Sequence, residues 1–209
     1  MTEPVIIDYG VGNLRSVQMA FERIDATARI SGDPDVVASA DALILPGVGA
    51  FADAIGKLDE RGLTEVLTKR ATKDGVPVLG ICLGMQLLTR ESDENGTHKG
   101  LGLIDAKTRR LPAGDHGLRL PHMGWNDVRA RADSVLFDGV PEESDFYFLH
   151  SYHVLCEDED CVEAVTPYGI DFCCAIRAGN ILGVQFHPEK SQKFGRIVLK
   201  NFLRLAARR

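Results

Sequence analysis

Apolar residues in the first half of the chain follow two rhythms. Short runs with almost no polar interruption read as strands: "PVIIDYG" (4–10), "ARIS" (28–31), "DALILPG" (41–47) and "VPVLGIC" (76–82). Between them the spacing becomes helical. In "VGNLRSVQMAFERIDA" (11–26), Leu14, Val17, Ala20, Phe21 and Ile24 fall on one face. "PDVVASA" (34–40) predicts a short helix, because Pro34 suits a first helical position. "AFADAIGKLDERGLTEVLTKRATKDG" (50–75) predicts helix broken near Gly62, and "GMQLLTRESDENG" (84–96) a helix that Gly96 stops. Non-alternating strands that trade places with helices imply βαβ units around a parallel sheet covered on both faces.

The second half reads differently. "RRLPAGDHGLRLPHMGWNDVRA" (109–130), "DFYFLHSYHVL" (145–155), "CVEAVTPYG" (161–169), "DFCCAIRAG" (171–179) and "ILGVQFHPE" (181–189) are strand-like runs divided by turn residues. They predict mixed or antiparallel strands joined to the parallel core. "KFGRIVLKNFLRLAARR" (193–209) predicts a closing amphipathic helix with Phe194, Ile197, Val198, Phe202 and Leu205 inward. No repeat, low-complexity segment or linker interrupts the pattern, so residues 1–209 are expected to form one domain.

Composition adds little beyond excluding some classes. The 209 residues are 44% hydrophobic and 26% charged, with a net charge of -6 and no long basic run, which does not suggest a nucleic-acid surface. The densest charge, "CEDEDC" (156–161), reads as a solvated loop. The start, "MTEPVIIDYG", lacks the basic and apolar regions of a signal peptide, and no apolar run has membrane-span length. A cytoplasmic location is expected. The five cysteines are scattered without a CxxC pair, so no structural zinc is expected. Cys173 and Cys174, adjacent on a strand, are expected on opposite faces, reduced and buried.

Chemistry concentrates at "VPVLGICLGMQ". Strand, turn and helix meet at Gly80-x-Cys82-x-Gly84, the layout of a nucleophile elbow with sulfur in place of oxygen. Both glycines leave room where chain segments cross. The thiol then stands above the carboxyl edge of the sheet, where open α/β folds bind ligands. The following helix aims its N-terminus at the sulfur and favours thiolate, and the Leu83 amide is free to stabilise an oxyanion. A buried cysteine between two packing glycines is the plainer alternative.

A thiol nucleophile needs a base, and the base an orienter. "GVQFHPEKS" offers both: His187 and Glu189 are two apart and share a face if the segment is extended, as Pro188 favours. An ordinary surface turn is the alternative here. His150 and His153 flank "SY" without a close carboxylate. "GVGAFA" (47–52) formally matches a dinucleotide fingerprint after a strand, with Glu65 downstream. It is not at the first strand–helix turn, however, and Pro46 precedes it. The competing reading places the amides of Val48 and Gly49 at an oxyanion site beside Cys82.

With "PGVG" (46–49), "GICLGMQ" (80–86) and "HPEKS" (187–191), the chain resembles the class I, triad-type glutamine amidotransferases. "DYGVGN" (8–13), "LPHMGWN" (120–126) and "FLHSYHV" (148–154) narrow the resemblance to the glutaminase subunits of imidazole glycerol phosphate synthases, over essentially the whole chain. The resemblance implies a three-layer, flavodoxin-like α/β fold: a mostly parallel central sheet flanked by helices, with additional antiparallel strands in the C-terminal half. It implies that Cys82 attacks the glutamine carboxamide, that His187 serves as acid and base, and that Glu189 orients it. Val48, Gly49 and Leu83 would form the oxyanion hole. Gly49, Gln86, Glu94, Ser151 and Tyr152 would bind glutamine, with Glu94 placed by counting along the elbow helix. Asn13, Trp125 and Lys190 would meet a cyclase partner, a (β/α)8 barrel that receives the ammonia. No cofactor or metal is implied. An amidotransferase subunit of another synthase, a stand-alone cysteine hydrolase and a nucleotide-binding or regulatory module stay open as alternatives.

Overall fold

The structure, a computed structural model, describes residues 2–208. The first elements are β1 (Val5–Ile7), α1 (Leu14–Glu22), β2 (Arg29–Ser31), α2 (Pro34–Ser39), β3 (Leu43–Gly47), α3 (Phe51–Glu60), α4 (Leu63–Thr72), β4 (Val78–Cys82) and α5 (Leu83–Leu87). Two short strands follow, β5 (Glu91–Ser92) and β6 (His98–Lys99), then β7 (Ala106–Arg110), β8 (His122–Ala130), β9 (Ser144–His150) and β10 (Tyr152–Cys156). β11 (Val162–Tyr168), β12 (Ile170–Ala178), β13 (Ile181–Val184) and α6 (Gln192–Ala206) complete the chain.

Five strands form a parallel core in the order β2-β1-β3-β4-β13, and antiparallel β12 and β10 extend it. β11, β8 and β9 branch from β12 as an antiparallel arm. The α/β architecture with a mostly parallel mixed sheet is the one the patterning predicts. Successive residues of the parallel strands feed two separate cores. Ile6, Ile44, Leu79 and Ile81 pack with Val17 and Phe21 of α1 and Val198 and Phe202 of α6. Val5, Ile7, Leu43, Leu45 and Val78 pack on the other side with Phe51, Leu58, Leu63 and Leu67. Each of these large side chains contributes about 1.5–3 kcal/mol by leaving water, which is why the strands tolerate no polar alternation. Cys173 and Cys174 fall into opposite cores, as alternation requires. All five cysteines are unpaired, and Cys156 is only partly buried. Among the described residues no helix is long and apolar enough to cross a membrane.

Two local expectations are corrected. The break between α3 and α4 falls at Gly62, as expected, with φ 65° and ψ 20°. The elbow helix, however, ends at Leu87 rather than running to residue 96. The Thr89 hydroxyl and amide both bond the Gln86 carbonyl, and the amides of Leu101, Leu103 and Gly102 bond the carbonyls of Leu87, Leu88 and Thr89. The segment 100–104 thus takes the acceptors that a further helical turn would have used. Residues 91–92 turn into β5 instead. The second correction concerns 188–190, which form one 3-10 turn with Pro188 at its start, not an extended segment.

Candidate active site

β3, β4 and β13 end side by side, and their carboxyl ends build the site. Gly47 is paired with Cys82, and Ile81 with Val184. Cys82 sits between β4 and α5 at φ 54° and ψ -110°, a conformation that costs a non-glycine residue on the order of 1–3 kcal/mol. The tight crossing behind it enforces the bend. A Cβ at Gly84 would lie 1.7 Å from the Leu45 carbonyl oxygen, and one at Gly80 2.7 Å from that of Gly84. The Cys82 thiol is 5% exposed, with Sγ 3.7 Å from the Leu149 carbonyl oxygen.

His187 follows β13 by three residues and is held at both backbone ends. Its amide donates to the Tyr147 carbonyl at 2.9 Å, and its carbonyl accepts from the Ser191 hydroxyl at 2.7 Å. The same hydroxyl accepts from the Tyr147 amide at 3.0 Å, which locks the turn against β9. Nδ1 meets Glu189 Oε1 at 2.8 Å, with both side chains under 5% exposed. The 3-10 turn therefore supplies the pairing that an extended segment was expected to give. Nε2 is buried and makes no hydrogen bond of ordinary geometry among the described residues. Cys82 is nevertheless the first of the groups that stabilise the charged ring, as a hydrogen-bonding partner and as a charge. Burial pushes the ring toward neutrality, but Cys82 and then Glu189 outweigh it and raise the imidazole to about 10.

Around this centre stand the other expected residues. Val48 and Gly49 continue directly from the residue paired with Cys82, with Val48 44% exposed and Gly49 at φ +97°. Leu83 opens α5, where a helix leaves its N–H groups unpaired. Gln86 is buried, and its amide donates to the Tyr152 carbonyl and to Gln185 Oε1, both at 3.0 Å. Glu94 lies off the elbow helix, in the segment after β5. Its Oε2 nevertheless accepts the Phe51 amide at 2.6 Å, at the start of α3 next to the 48–49 segment. Ser151 and Tyr152 link β9 to β10.

The profile of the family described as "Glutamine amidotransferase class-I" matches residues 5–206. The imidazole glycerol phosphate synthase subunit HisH of Moorella thermoacetica is 49% identical over 94% of this chain and 92% of its own length. That of Syntrophotalea carbinolica is 48% identical over 95% and 98%. The chain belongs to the class-I glutamine amidotransferases, in the group of imidazole glycerol phosphate synthase HisH subunits. Solved structures agree on the fold. A crystal structure of a glutamine amidotransferase superposes with a TM-score of 0.78 at 22% identity, covering 98% of each chain.

Two residues that the sequence reading passed over act on the sulfur of this amidotransferase, Gln185 by contact and Tyr9 through its charge interaction. Gln185 Nε2 lies 3.8 Å from Cys82 Sγ, and the side chain is fully buried. Its position two before His187 was the available signal. Tyr9, also fully buried, donates to the Pro46 carbonyl at 2.7 Å. Burial first, and then Cys82, push its phenol well above the usual range. No local pattern points to Tyr9, because only the sheet order brings β1 beside β3. Of the expected interface residues, Asn13 caps α1 through a 3.3 Å bond from the Ser16 amide. Trp125 and Lys190 both reach Tyr147: the rings meet edge-on at 6.0 Å, and the ammonium stands 5.3 Å from the Tyr147 centroid. A cleft of about 900 Å³ between residues 128–142 and α6 lies apart from all of these.

Proposed function

We propose that the protein hydrolyses L-glutamine to glutamate and ammonia. The ammonia passes to a cyclase partner that makes imidazole glycerol phosphate and an aminoimidazole carboxamide ribotide in histidine biosynthesis. What carries this reading is the strained thiol at the β4 elbow beside a buried His187–Glu189 pair, in a chain nearly half identical to HisH subunits. The relatives' name makes them subunits of a synthase. A separate (β/α)8 barrel as partner, in a cytoplasmic heterodimer, is part of the proposal.

In the proposed reaction Cys82 gives its proton to His187, and the sulfur attacks the side-chain carbonyl carbon of glutamine. The oxygen becomes an oxyanion beside the Leu83 amide and an amide of the 48–49 segment. Collapse breaks the C–N bond while His187 returns a proton to the departing nitrogen, leaving a glutamyl thioester and ammonia. His187 next takes a proton from water, whose oxygen attacks the thioester. Collapse then breaks the C–S bond, His187 returns its proton to the sulfur, and glutamate leaves with the thiol restored. Glu189 keeps the Nδ1 proton in place, so Nε2 exchanges protons throughout. In this reading Gln86, Glu94 and the backbone of Ser151 and Tyr152 hold the amino-acid end.

The test is glutamate release by the pure chain, with and without the cyclase and its nucleotide. Low activity alone and stimulation of at least about tenfold in the complex are expected. The Cys82→Ser chain is expected to bind the partner without releasing glutamate. Undiminished release by that variant overturns the reading.

A further inference from the structure

Behind the candidate site lies a row of buried polar groups that begins with two histidines the reaction above does not use. His122 and His150 are 3% and 5% exposed, and Phe148 and Tyr168 stack on His122 at 4.8 and 4.1 Å between centroids. His150 Nδ1 lies 2.7 Å from the Tyr152 carbonyl oxygen. A carbonyl only accepts, so that nitrogen carries the proton. A neutral ring then has a bare Nε2, and His122 Nδ1, 3.0 Å away, must donate to it. His122 Nε2 is left bare in turn.

The far end of the row gives the same answer independently. Asn126 donates its amide to the Pro167 carbonyl at 2.7 Å, and its oxygen accepts from the Asp127 amide at 3.0 Å. Those two bonds fix which way the side chain points. Its NH2 therefore faces His122 Nε2, at 3.2 Å, and requires it bare. Both ends demand Nδ1–H in both rings. Burial agrees, lowering His122 to about 4 and His150 to about 3, so both are neutral near pH 7.

The row continues to the nucleophile. The Tyr152 carbonyl that accepts from His150 also accepts from Gln86, which donates in addition to Gln185 Oε1. Gln185 Nε2 faces Cys82 Sγ. We infer that His150, oriented by His122, is a positioning residue: it clamps the Tyr152 carbonyl and, through Gln86 and Gln185, fixes the amide that faces the sulfur. The inference rests on Cys82 as the nucleophile. Each donation in the row has a fixed donor, and two of them converge on the Tyr152 carbonyl, so a single lost proton site leaves a buried group unpaired. The row starts on β8, two chain positions from Gly124 and one from Trp125, so the exposed arm and the sulfur share one hydrogen-bonded line.

Two experiments test this. In the wild-type chain with 15N-labelled histidine, NMR at pH 7 is expected to show His122 and His150 both protonated on Nδ1 and bare on Nε2. A proton on Nε2 of either ring, or a charged ring, overturns the inference without touching the glutaminase reading. In the complex, His150→Phe keeps the aromatic shape and removes the donor. It is expected to lower glutaminase kcat/KM by roughly 10- to 100-fold. His150→Asn places an amide NH2 where Nδ1 stood, and is expected to recover activity to within about fivefold of wild type. A pure packing role gives the opposite ranking, with Phe tolerated and Asn impaired, and that ranking or two unaffected variants overturns the inference. If wild type itself fails to release glutamate through Cys82, the functional reading falls, while the tautomer result still stands or falls on its own.

Discussion

β3 and β4 are buried at every position, whereas β8 and β9 alternate buried and exposed residues along their length. The parallel strands are clamped between two cores and hold Gly47 and Cys82 in fixed register. The antiparallel arm has only one packed face. Phe146, Phe148 and His150 point inward, and Met123, Trp125 and Leu149 are left exposed, at 66%, 44% and 37%. The contrast separates two duties. Chemistry that needs an atom held in a strained position sits on the half that cannot move without opening two cores. Apolar surface to spare lies on the other half, where the proposed partner contact falls.

Breaking the rigid half is expected to give the largest effects. Cys82→Ser should cut glutamate release at least about 1000-fold, measured in the complex at saturating glutamine. Gly84→Ala drives a methyl group into the Leu45 carbonyl and should cost about 3 kcal/mol, read from the denaturant midpoint. Acid probes the packed face of the arm and of the neighbouring β10. Burial holds the histidines neutral in the fold: His122 and His153 are lowered to about 4, and His150 to about 3. With folded values below the usual 6.5, their contribution is complete above that pH and is lost progressively as pH falls from about 6.5 to the folded values of about 4 and 3. His150 alone should cost on the order of 3 kcal/mol between pH 7 and pH 4. Thermal melts across that range check it, and His150→Phe should flatten the slope.

Substitutions on the exposed face should do less to the chain itself. Trp125→Ala is expected to weaken the cyclase complex by roughly tenfold or more in titration calorimetry while leaving the melting temperature of the free chain nearly unchanged. The smallest effect is a gain. Gly56 lies inside α3 with open space where a Cβ would go, so Gly56→Ala should add roughly 0.5–1 kcal/mol. The paired result at Gly56 and Gly84 separates a glycine that only loosens a helix from one that makes room for a crossing chain.

The parallel half was legible because unbroken apolar runs and helical spacing both report burial directly. The turn at Cys82 was legible too, since its flanking glycines are local. What escaped were contacts set by the return of distant segments. The elbow helix stops at Leu87 because residues 100–104 take its carbonyls, which no propensity in 84–96 announces. Glu94 reaches the start of α3 by way of that early stop, not from the longer helix along which it is counted in the sequence. Gln185 meets the sulfur only because β13 lies beside β4, and Tyr9 meets the Pro46 carbonyl only because β1 lies beside β3.

That order has a consequence for how the molecule is made. β13, the last strand in chain order among the described residues, inserts between β4 and β12 and is paired on both edges. Until residues 181–184 arrive, two strands that end up central present open edges, and a stalled or clipped nascent chain is both sticky and without its imidazole. The sheet closes only when residues 181–184 join it, and the imidazole of His187 arrives with them.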